Sequence, residues 1–410
     1  MPSIDPDRVL GDLYELRKIG AYKTGVHRPT FSPEDIASRR WLAERMERAG
    51  LDAHIDGIGN VLGFSGAPGR KMLAGSHVET QNHAGWLDGA LGVIYALEAA
   101  RAFAADPAMA GLGVDVAAFC DEEGHFLNFM GSRSFVGLLA EQDLDQARDR
   151  TSGMRVRDAL AQAGYAGRAR LTIDPGRYAG YFEAHIEQGD TLESSGLKLG
   201  VVTAIVAIRQ YRIVATGEQN HAGTTSMARR RDAGLALVRL LAAIDRRFPE
   251  VAAPRCVWTT GRITLEPGGP SVIPERAEAL FQFRDTDPAV LDRLQATLEG
   301  LIAEANRESR CPIEPALISA SMPAVMDERF QAALEEAAER HAPGRHMRMP
   351  SGAGHDAQYL ARKLPAAMLF VPSIGGLSHH WAENTSDEDI VLGARVFVDA
   401  IAAALQQSGE

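Results

Sequence analysis

Cysteine, long apolar runs and basic charge are all scarce in this 410-residue sequence. The three cysteines, Cys120, Cys256 and Cys311, are odd in number and widely spaced, so they predict neither a disulfide framework nor a cysteine-based zinc site. No apolar stretch approaches the roughly 20 residues that a membrane-spanning helix requires. The first ten residues, MPSIDPDRVL, lack the basic segment and apolar core of a secretory signal. We therefore expect a cytoplasmic protein with no membrane partner.

The charge balance argues against a nucleic-acid partner. The sequence has 43 Lys and Arg residues against 54 Asp and Glu residues, which gives a net charge of −11. Nucleic-acid binding needs a concentrated basic surface. The densest basic cluster, Arg229–Arg231, is followed directly by Asp232 and is explained by a solvated helix face. We expect no nucleic acid among the partners.

Length and hydrophobic content predict a globular protein with more than one structural unit. Hydrophobic residues make up 45% of the chain and charged residues 24%, which is ordinary for globular proteins. Single cores stop growing near ~250–300 residues. A chain of 410 residues therefore predicts two or three units.

The first part of the chain alternates strands with helices. The segment SPED at 32–35 is typical of a helix start, with a hydroxyl cap, a proline in the first turn and acids that face the helix dipole. Apolar strands are predicted at 71–77, 114–120 and 181–185, and a long apolar helix at 89–105. This alternation predicts an α/β layer with ligands along one edge of its sheet.

A different pattern begins near residue 207. The segment IRQYRIVATGE alternates apolar and polar residues, as an antiparallel strand with one solvated face does. Two long helices and about four strands are predicted there, and the α/β pattern returns near Pro323. We therefore predict a discontinuous α/β domain (1–206 and 321–410) that is interrupted by an inserted α+β domain (207–320).

Histidines and acids stand at the ends of predicted buried strands or beside glycines. In α/β proteins, ligands bind at the carboxyl ends of strands and in the turns that follow. Imidazoles gathered with carboxylates suit divalent metals of the zinc or manganese type. Each residue alone has an ordinary alternative, since a single histidine is more often structural and an aspartate before an apolar helix is often its N-cap. The candidates are His77, Asp88, Glu122, Glu123, His185 and His379.

The pair Glu122-Glu123 directly follows a predicted buried strand. Adjacent carboxylates repel each other, so such a pair is best tolerated where a cation or a proton is shared. Adjacent side chains also diverge, which allows one to bind metal while the other takes a proton from an attacking water. The alternative interpretation is that Glu122 and Glu123 are two solvated acids on the protein surface.

Two further polar features are candidates for supporting roles. Glu79 lies two residues after His77 and could accept the second imidazole N–H, which would fix the ring for metal binding. The segment Asn220-His221-Ala-Gly-Thr-Thr is small and polar, and its imidazole could donate to a developing oxyanion. A simple turn is the alternative for that segment.

Taken together and in this order, the motifs resemble the amidase/hydantoinase/carbamoylase branch of the M20 metallopeptidase-like superfamily. This branch includes N-carbamoyl-L-amino-acid hydrolases, allantoate amidohydrolases and β-ureidopropionases. The resemblance covers essentially the whole chain. Its motifs here are GVHRPTFSPED, GSHVET, WLDGALGV, DEEG followed by MGSRSFVG, AHIEQG, NHAGTTSM, SGAGHDA and SHHWAE.

The resemblance implies a phosphorylase/hydrolase-like α/β catalytic domain with an inserted α+β lid and dimerisation domain. It also implies two divalent metal ions per chain, one held by His77 and His185 and the other by Glu123 and His379, with Asp88 between them. Zinc, manganese, cobalt and nickel all remain open, because histidine and carboxylate ligands accept each of them.

The resemblance also implies roles around the metals. Glu122 would be the general base, and His221 would reach the site of the neighbouring subunit in a homodimer to polarise the scissile carbonyl. Arg284 would grip the substrate carboxylate in a bidentate manner. The substrate-binding positions that the resemblance implies are Gln188, Asn220, Ser271, Arg284 and His355.

The chain departs from the family pattern at three positions. Glu79 stands where the family usually has Asp, Ser271 stands where it has Asn before V-I-P, and Gln282 replaces an Asp two residues before the arginine. The proposed metal ligands and base are intact. We therefore expect catalysis to be retained, with a substrate that differs from a standard N-carbamoyl amino acid.

Three functional hypotheses follow. The first is metal-dependent hydrolysis of a non-peptide C–N bond in a small, carboxylate-bearing amide or N-carbamoyl or ureido compound. The second is an aminopeptidase or N-acyl-amino-acid deacylase, although Arg284 and Gln188 favour a small anionic substrate. The third is a non-catalytic dimeric scaffold. The altered Glu79 and Ser271 favour it, whereas the intact Glu122 and the five proposed ligands argue against it, because a scaffold would have no use for mutually repelling carboxylates.

Overall fold

The structure is a computed structural model that describes residues 2–407. The chain divides into a smaller compact unit, Ile205–Ala324, and a larger unit that the preceding and following segments build together. The helices are α1 (Pro6–Lys18), α2 (Pro33–Arg48), α3 (Ala90–Ala105), α4 (Met130–Phe135), α5 (Glu141–Gln146), α6 (Val156–Gln162), α7 (Thr191–Ser194), α8 (Ala233–Arg247), α9 (Pro288–Glu308), α10 (Glu328–His341), α11 (Ala357–Leu360) and α12 (Asp387–Gln407). The strands are β1 (Ala21–Tyr22), β2 (Gly25–Val26), β3 (Asp52–Ile55), β4 (Val61–Phe64), β5 (Lys71–His77), β6 (Gly113–Phe119), β7 (Tyr178–Ile186), β8 (Leu199–Ile205), β9 (Ala207–Thr216), β10 (Asn220–His221), β11 (Val257–Glu266), β12 (Val272–Ile273), β13 (Arg276–Asp285), β14 (Ile313–Ala320), β15 (Ala324–Val325), β16 (His346–Ser351) and β17 (Ala366–Val371).

The larger unit is built on a mixed sheet with the strand order β15-β8-β17-β7-β5-β6-β4-β3, and β16 pairs with β8. Its central strands β17, β7, β5 and β6 are parallel, whereas β8 and β4 join them in antiparallel directions. Strands β5, β6, β7 and β17 are buried along their whole length, as parallel strands covered on both faces should be. Their carboxyl ends therefore meet at one edge of the sheet.

The predicted helix starts and strands of this unit are largely confirmed. Helix α2 begins as predicted, since the Ser32 hydroxyl accepts a hydrogen bond from the Asp35 N–H at 3.1 Å. The apolar helix α3 is buried over nearly its whole length and packs against β5, β6 and α12. At its start the cap position belongs to Gly89, with a φ of 68°, and no side chain caps the helix. The alternative that Asp88 serves as the N-cap is therefore wrong.

The smaller unit is an antiparallel sheet, ordered β11-β13-β9-β14, against which α8 and α9 pack. Alternate residues of β9 and β13, such as Ile213 and Phe281, are buried in its core, which matches the two-residue period of the sequence. A separate short pair joins β10 to β12, with His221 opposite Val272. Both units together give the predicted fold class, a mixed α/β protein in two parts. Among the described residues, no helix is long and apolar enough to cross a bilayer.

Candidate metal centre

The carboxyl edge of the parallel strands gathers the predicted polar residues of the larger unit. His77 is the last residue of β5, and His185 lies near the end of the neighbouring strand β7. The imidazole rings of these two histidines have centroids 6.0 Å apart. After β6, the chain turns at Asp121, whose φ is 59°, and presents Glu122 and Glu123 at the same edge.

Asp88 is the centre of this arrangement. Its Oδ1 lies 3.4 Å from Nε2 of His77 and 3.1 Å from Nε2 of His185. We call His77, Asp88 and His185 the first donor group. Each of these three side chains is at least nine-tenths buried.

The other oxygen of Asp88, Oδ2, faces Glu123 and His379. We call Asp88, Glu123 and His379 the second donor group. Nε2 of His379 lies 3.4 Å from Oδ2 of Asp88 and 3.5 Å from Oε2 of Glu123. His379 comes from the loop after β17 and adopts a φ of 54°, and its side chain is half exposed.

Within each donor group, one ligand atom from every residue lies within 4.8 Å of the others. The residues fit two divalent cations, because imidazole and carboxylate ligands suit zinc and manganese and because a cation would balance the charge of carboxylates that are buried together. Asp88 offers one oxygen to each group. The five residues that the sequence predicted as ligands are thus brought together, and their role as ligands stays a prediction.

Backbone carbonyls set the tautomers of the two buried histidines. Nδ1 of His77 lies 3.1 Å from the carbonyl oxygen of Glu79, and Nδ1 of His185 lies 2.8 Å from that of Ile186. Because a carbonyl only accepts, each Nδ1 carries a proton, and the lone pair of each Nε2 is left to bind a cation or a second proton. The Gly89 N–H donates to Nε2 of His185 at 3.2 Å, which is consistent with that lone pair.

Glu79 supports the site in a different way from the prediction. Its carbonyl, and not its carboxylate, meets His77, since the nearest carboxylate oxygen is 3.9 Å from Nδ1. The carboxylate instead accepts from Nη2 of the buried Arg39 at 2.6 Å and from the Glu122 N–H at 2.7 Å. The longer side chain of Glu reaches these partners and so fixes the backbone of the predicted base.

Glu122 lies beside the first donor group without belonging to it. Its Oε2 is 3.6 Å from Nε2 of His77, and its side chain is almost buried. Burial raises the pKa of Glu122 well above its usual range, and the negative charges of Glu123, Asp356 and Asp88 add to this while His77 opposes it. A carboxyl with a raised pKa suits a group that accepts and returns a proton.

Hydrogen bonds link the protonation of Asp88 to that of the histidines among the candidate ligands. The hydrogen bond to Asp88 raises the pKa of His379 to about 9 despite partial burial. Burial works against ionisation of Asp88, but the hydrogen bonds that His185, His379 and His77 donate when Nε2 is protonated outweigh it and hold its pKa well below the usual range. Protons and divalent cations therefore compete for the same side chains.

Glu383 is a site residue to which the sequence reasoning assigned no role. Its Oε1 accepts from the Asp88 N–H at 3.1 Å and from the Leu87 N–H at 3.3 Å, and its Oε2 accepts from the Ser378 hydroxyl at 3.1 Å. Burial, together with the charge of Asp88, raises the pKa of Glu383 to about 8. Its position in SHHWAE, four residues after His379, was the available signal.

Two predicted substrate-binding residues lie beside the donor groups. Nε2 of Gln188 donates to Oδ2 of Asp88 at 2.9 Å, and its Oε1 is buried without a partner among the described residues. The His355 ring stands edge-on to that of His185, with centroids 4.6 Å apart, and its Nε2 is 2.8 Å from the Ser351 hydroxyl. Burial and the nearby His185 hold the pKa of His355 well below its usual range, so this ring is neutral.

The remaining predicted residues belong to the smaller unit. His221 is exposed, and its Nδ1 accepts from the N–H groups of Gly223 at 3.0 Å and Thr224 at 3.2 Å. Ser271 lies across from this segment, where its carbonyl accepts from the Ala222 N–H at 2.9 Å. Asn220 and His221 form β10, Ser271 lies just before β12, and Arg284 lies in β13. Nη2 of Arg284 is 3.3 Å from Oε1 of Gln282.

The fold and the donor groups define a class. A mixed α/β sheet whose edge carries paired histidine and carboxylate groups, with a further buried acid beside them, is typical of the metal-dependent hydrolases.

Comparison with known proteins identifies the family. Residues 70–403 match the profile of Peptidase family M20/M25/M40, and the chain belongs to this family. The resemblance drawn from the motifs is confirmed.

Similar proteins cover nearly the whole chain. The chain is 34% identical over 384 residues to an allantoate amidohydrolase of Bacillus subtilis, with 92% of each protein covered. It is 31% identical over 408 residues to an N-carbamoyl-L-amino acid amidohydrolase of Geobacillus stearothermophilus, covering 97% of this chain and 98% of that protein. The crystal structure of an amidase of the hydantoinase/carbamoylase family from Burkholderia phymatum is similar with a TM-score of 0.89 and 49% identity, covering 100% of this chain and 99% of that one.

Proposed function

We propose that this protein hydrolyses a non-peptide C–N bond in a small, carboxylate-bearing amide or N-carbamoyl or ureido compound. The observation that carries the proposal is Asp88, whose two oxygens face two separate donor groups while Glu122 lies free beside the first. The names of the two relatives, an allantoate amidohydrolase and an N-carbamoyl-L-amino acid amidohydrolase, support this class of substrate.

The proposed cofactor is a pair of divalent ions per chain, zinc or manganese, with cobalt and nickel also compatible with the ligands. His77, Asp88 and His185 would hold one ion, and Asp88, Glu123 and His379 the other. When bound, such ions act as Lewis acids that polarise a carbonyl and make water a better nucleophile near neutral pH.

Glu122 is the proposed general base. It takes the proton of the attacking water and returns it to the leaving nitrogen, which balances the hydrolysis without another acid. Its backbone is fixed by the bond from its N–H to Glu79, and its carboxylate is shielded from solvent. The backbone bond fixes where the side chain begins, and the shielding places the carboxylate in a setting of low polarity, where its interactions with reacting groups are strengthened.

His221 and Arg284 are the proposed substrate groups of the smaller unit. Because Nδ1 of His221 accepts two backbone N–H bonds, its Nε2 carries the proton of the neutral ring and can donate to an oxyanion. Arg284 can pair with a substrate carboxylate through two parallel hydrogen bonds. We assign Gln188, Asn220, Ser271 and His355 to the binding of the remaining polar groups of the substrate.

We further propose that the protein is a cytoplasmic homodimer in which the inserted domain serves as lid and dimerisation surface. In this scheme the discontinuous domain is catalytic, and His221 serves the site of the other subunit. Measurement of the molar mass in solution tests the dimer, since a monomeric active enzyme would contradict this role of His221.

A substrate panel with the zinc- or manganese-loaded protein tests the reaction. The panel contains N-carbamoyl amino acids, ureido acids, N-acyl amino acids and dipeptides, each acid paired with its methyl ester. We expect turnover of a carbamoyl or ureido acid and a large loss with the ester, which cannot form the bidentate pair with Arg284. Turnover confined to dipeptides or N-acyl amino acids would replace this proposal with a peptidase or deacylase.

A further inference from the structure

The carboxylate of Glu123 is held on both oxygens by a single residue, Gln81. The Gln81 backbone N–H donates to Oε1 of Glu123 at 3.1 Å, and the Gln81 side-chain Nε2 donates to Oε2 at 2.7 Å. The same Nε2 lies 3.1 Å from the carbonyl oxygen of Glu123. The side chain and the backbone of Glu123 are thus fixed together.

Arg150 determines which way the Gln81 amide points. A guanidinium has only donors, so it must bind the amide oxygen. Nη2 of Arg150 contacts Oε1 of Gln81, and this leaves Nε2 directed at Glu123. Nη1 of Arg150 also lies 3.4 Å from the Glu123 carbonyl.

The backbone around Arg150 is itself constrained. Oδ1 of Asp149 accepts from the N–H groups of Thr151 at 3.1 Å and Ser152 at 2.6 Å, which closes a tight turn. The Arg150 N–H donates to the carbonyl of His125 at 2.9 Å. The Arg150 side chain is exposed, but the backbone that carries it is fixed by this turn and by the hydrogen bond to His125.

This support is asymmetric between the two donor groups. Glu123 belongs to the second donor group alone, whereas the buried histidines of the first are oriented by backbone carbonyls. Apart from Asp88, which both groups share, the second group consists of Glu123 and the half-exposed His379. Of these two residues, Glu123 is the more firmly held. A change at Gln81 therefore acts on one group and leaves the contacts of the other intact.

We propose that Gln81, oriented by Arg150, is a positioning residue that sets the cation affinity of the second donor group independently of the first. The inference rests on the proposed function, because it requires that the donor groups bind cations. Groups that orient a metal ligand typically change metal affinity by about 10–100-fold.

Calorimetric titration of the metal-free protein with Mn²⁺ or Zn²⁺ alone tests the inference. In Gln81→Met the side chain keeps its length and loses its polar atoms, and we expect one of two binding steps to weaken by about 10–100-fold. Gln81→Glu keeps an acceptor for Arg150 but sets a second acid against Glu123, so the same step should weaken further. Gln146→Met, at the exposed end of α5, is the matched control and should leave both steps unchanged.

Ligand variants assign the weakened step. In a His379→Ala background, which disables the second group, Gln81→Met should have no further effect on the remaining step. In a His185→Ala background, it should weaken the remaining step by the full factor. Equal weakening in both backgrounds would overturn the selectivity that we infer.

A double-variant cycle tests Arg150. Arg150→Met should weaken the same step less than Gln81→Met does, and the two changes together should cost less than the sum, because Arg150 acts largely through Gln81. Arg148→Met, which removes a neighbouring arginine that contacts Gly153, is the control. Full additivity would remove Arg150 from the mechanism.

The outcomes separate this inference from the proposed function. A parent protein that binds no cation would overturn both. A parent that binds two ions, with unchanged affinities in folded Gln81→Met and Gln81→Glu, would overturn the role of Gln81 alone. Circular dichroism confirms folding in each case.

Discussion

At the scale of single residues, the site separates two adjacent acids into different environments. Glu123 is held by Gln81 and faces His379, whereas Glu122 is held only through its backbone and lies beside His77. Because side chains of adjacent residues diverge, the turn after β6 can supply a ligand and a base from consecutive positions. Gln81 and His379 contact the carboxylate of Glu123, which makes it a candidate ligand, and they do not hold the carboxylate of Glu122, which can accept a proton.

This separation predicts different consequences for the same substitution at the two positions. Glu122→Gln should lower kcat by about 10²–10⁴-fold, the usual contribution of a general base, and leave metal content normal. Glu123→Gln should lower the metal content by about one ion per chain, because an amide is a poor ligand for such cations. Steady-state kinetics and elemental analysis measure both effects. Turnover of Glu122→Gln within tenfold of the parent would refute its role as base.

At the scale of secondary-structure elements, the turn into α3 is what brings Asp88 to the histidines. Gly89 adopts a φ of 68°, and a Cβ there would lie 2.5 Å from atoms of the His77 ring. Any larger residue would therefore strain the turn and displace a candidate ligand. The turn that starts α3 therefore also sets the geometry of the first donor group.

Gly89→Ala should consequently remove the ion of the first donor group, which analysis of metal content would detect. Gly11→Ala is the control, since Gly11 lies inside α1 with no atom within 4 Å of an added Cβ. That change should stabilise the protein by about 0.5–1 kcal/mol, because alanine is the better helix former. Normal metal content in folded Gly89→Ala would contradict the close approach of Gly89 to His77.

At the scale of the whole molecule, the donor groups draw on segments that are distant in the chain, from Lys71–His77 to the loop that carries His379. Without cations, the larger unit has to bury several carboxylates and imidazoles close together. Binding of cations to the folded state alone would stabilise that unit by mass action.

Removal of metal by a chelator should therefore lower the unfolding temperature. The loss amounts to about 4 kcal/mol of stability where the free ion is about 1,000 times its Kd. Differential scanning calorimetry with and without EDTA measures the change. A variant with His77→Ala and Glu123→Ala lacks a ligand in both groups and should not respond. An equal response of that variant would indicate that the chelated ion binds elsewhere.

Much of the fold follows from local sequence patterns. The buried strands β5, β6 and β7, the cap of α2 and the alternating strand β9 are each determined by residues within one element, because periodicity and capping act over a few neighbours. The ordered motifs also indicated the family, because each is a short contiguous stretch of sequence. The sequence patterns did not indicate the positions of α1 and α12, because these positions depend on packing partners: α12 packs against β17, β7 and α3, and α1 packs against α3 and α12.

Only the tertiary structure decided how the candidate site is supported. The carbonyl rather than the carboxylate of Glu79 meets His77, Glu383 binds the backbone at Asp88, and Gln81 grips Glu123. The contacts of Glu383 and Gln81 join residues more than forty positions apart. The contact of Glu79 depends on the direction of a turn, which the sequence pattern does not encode. The sequence by itself determined which chemical groups this protein carries at its strand ends, because residue types and short spacings are local properties. Which oxygen or nitrogen each group turns toward its neighbours was decided by the folded chain, because hydrogen-bond geometry depends on distances that exist only after the strands have come together.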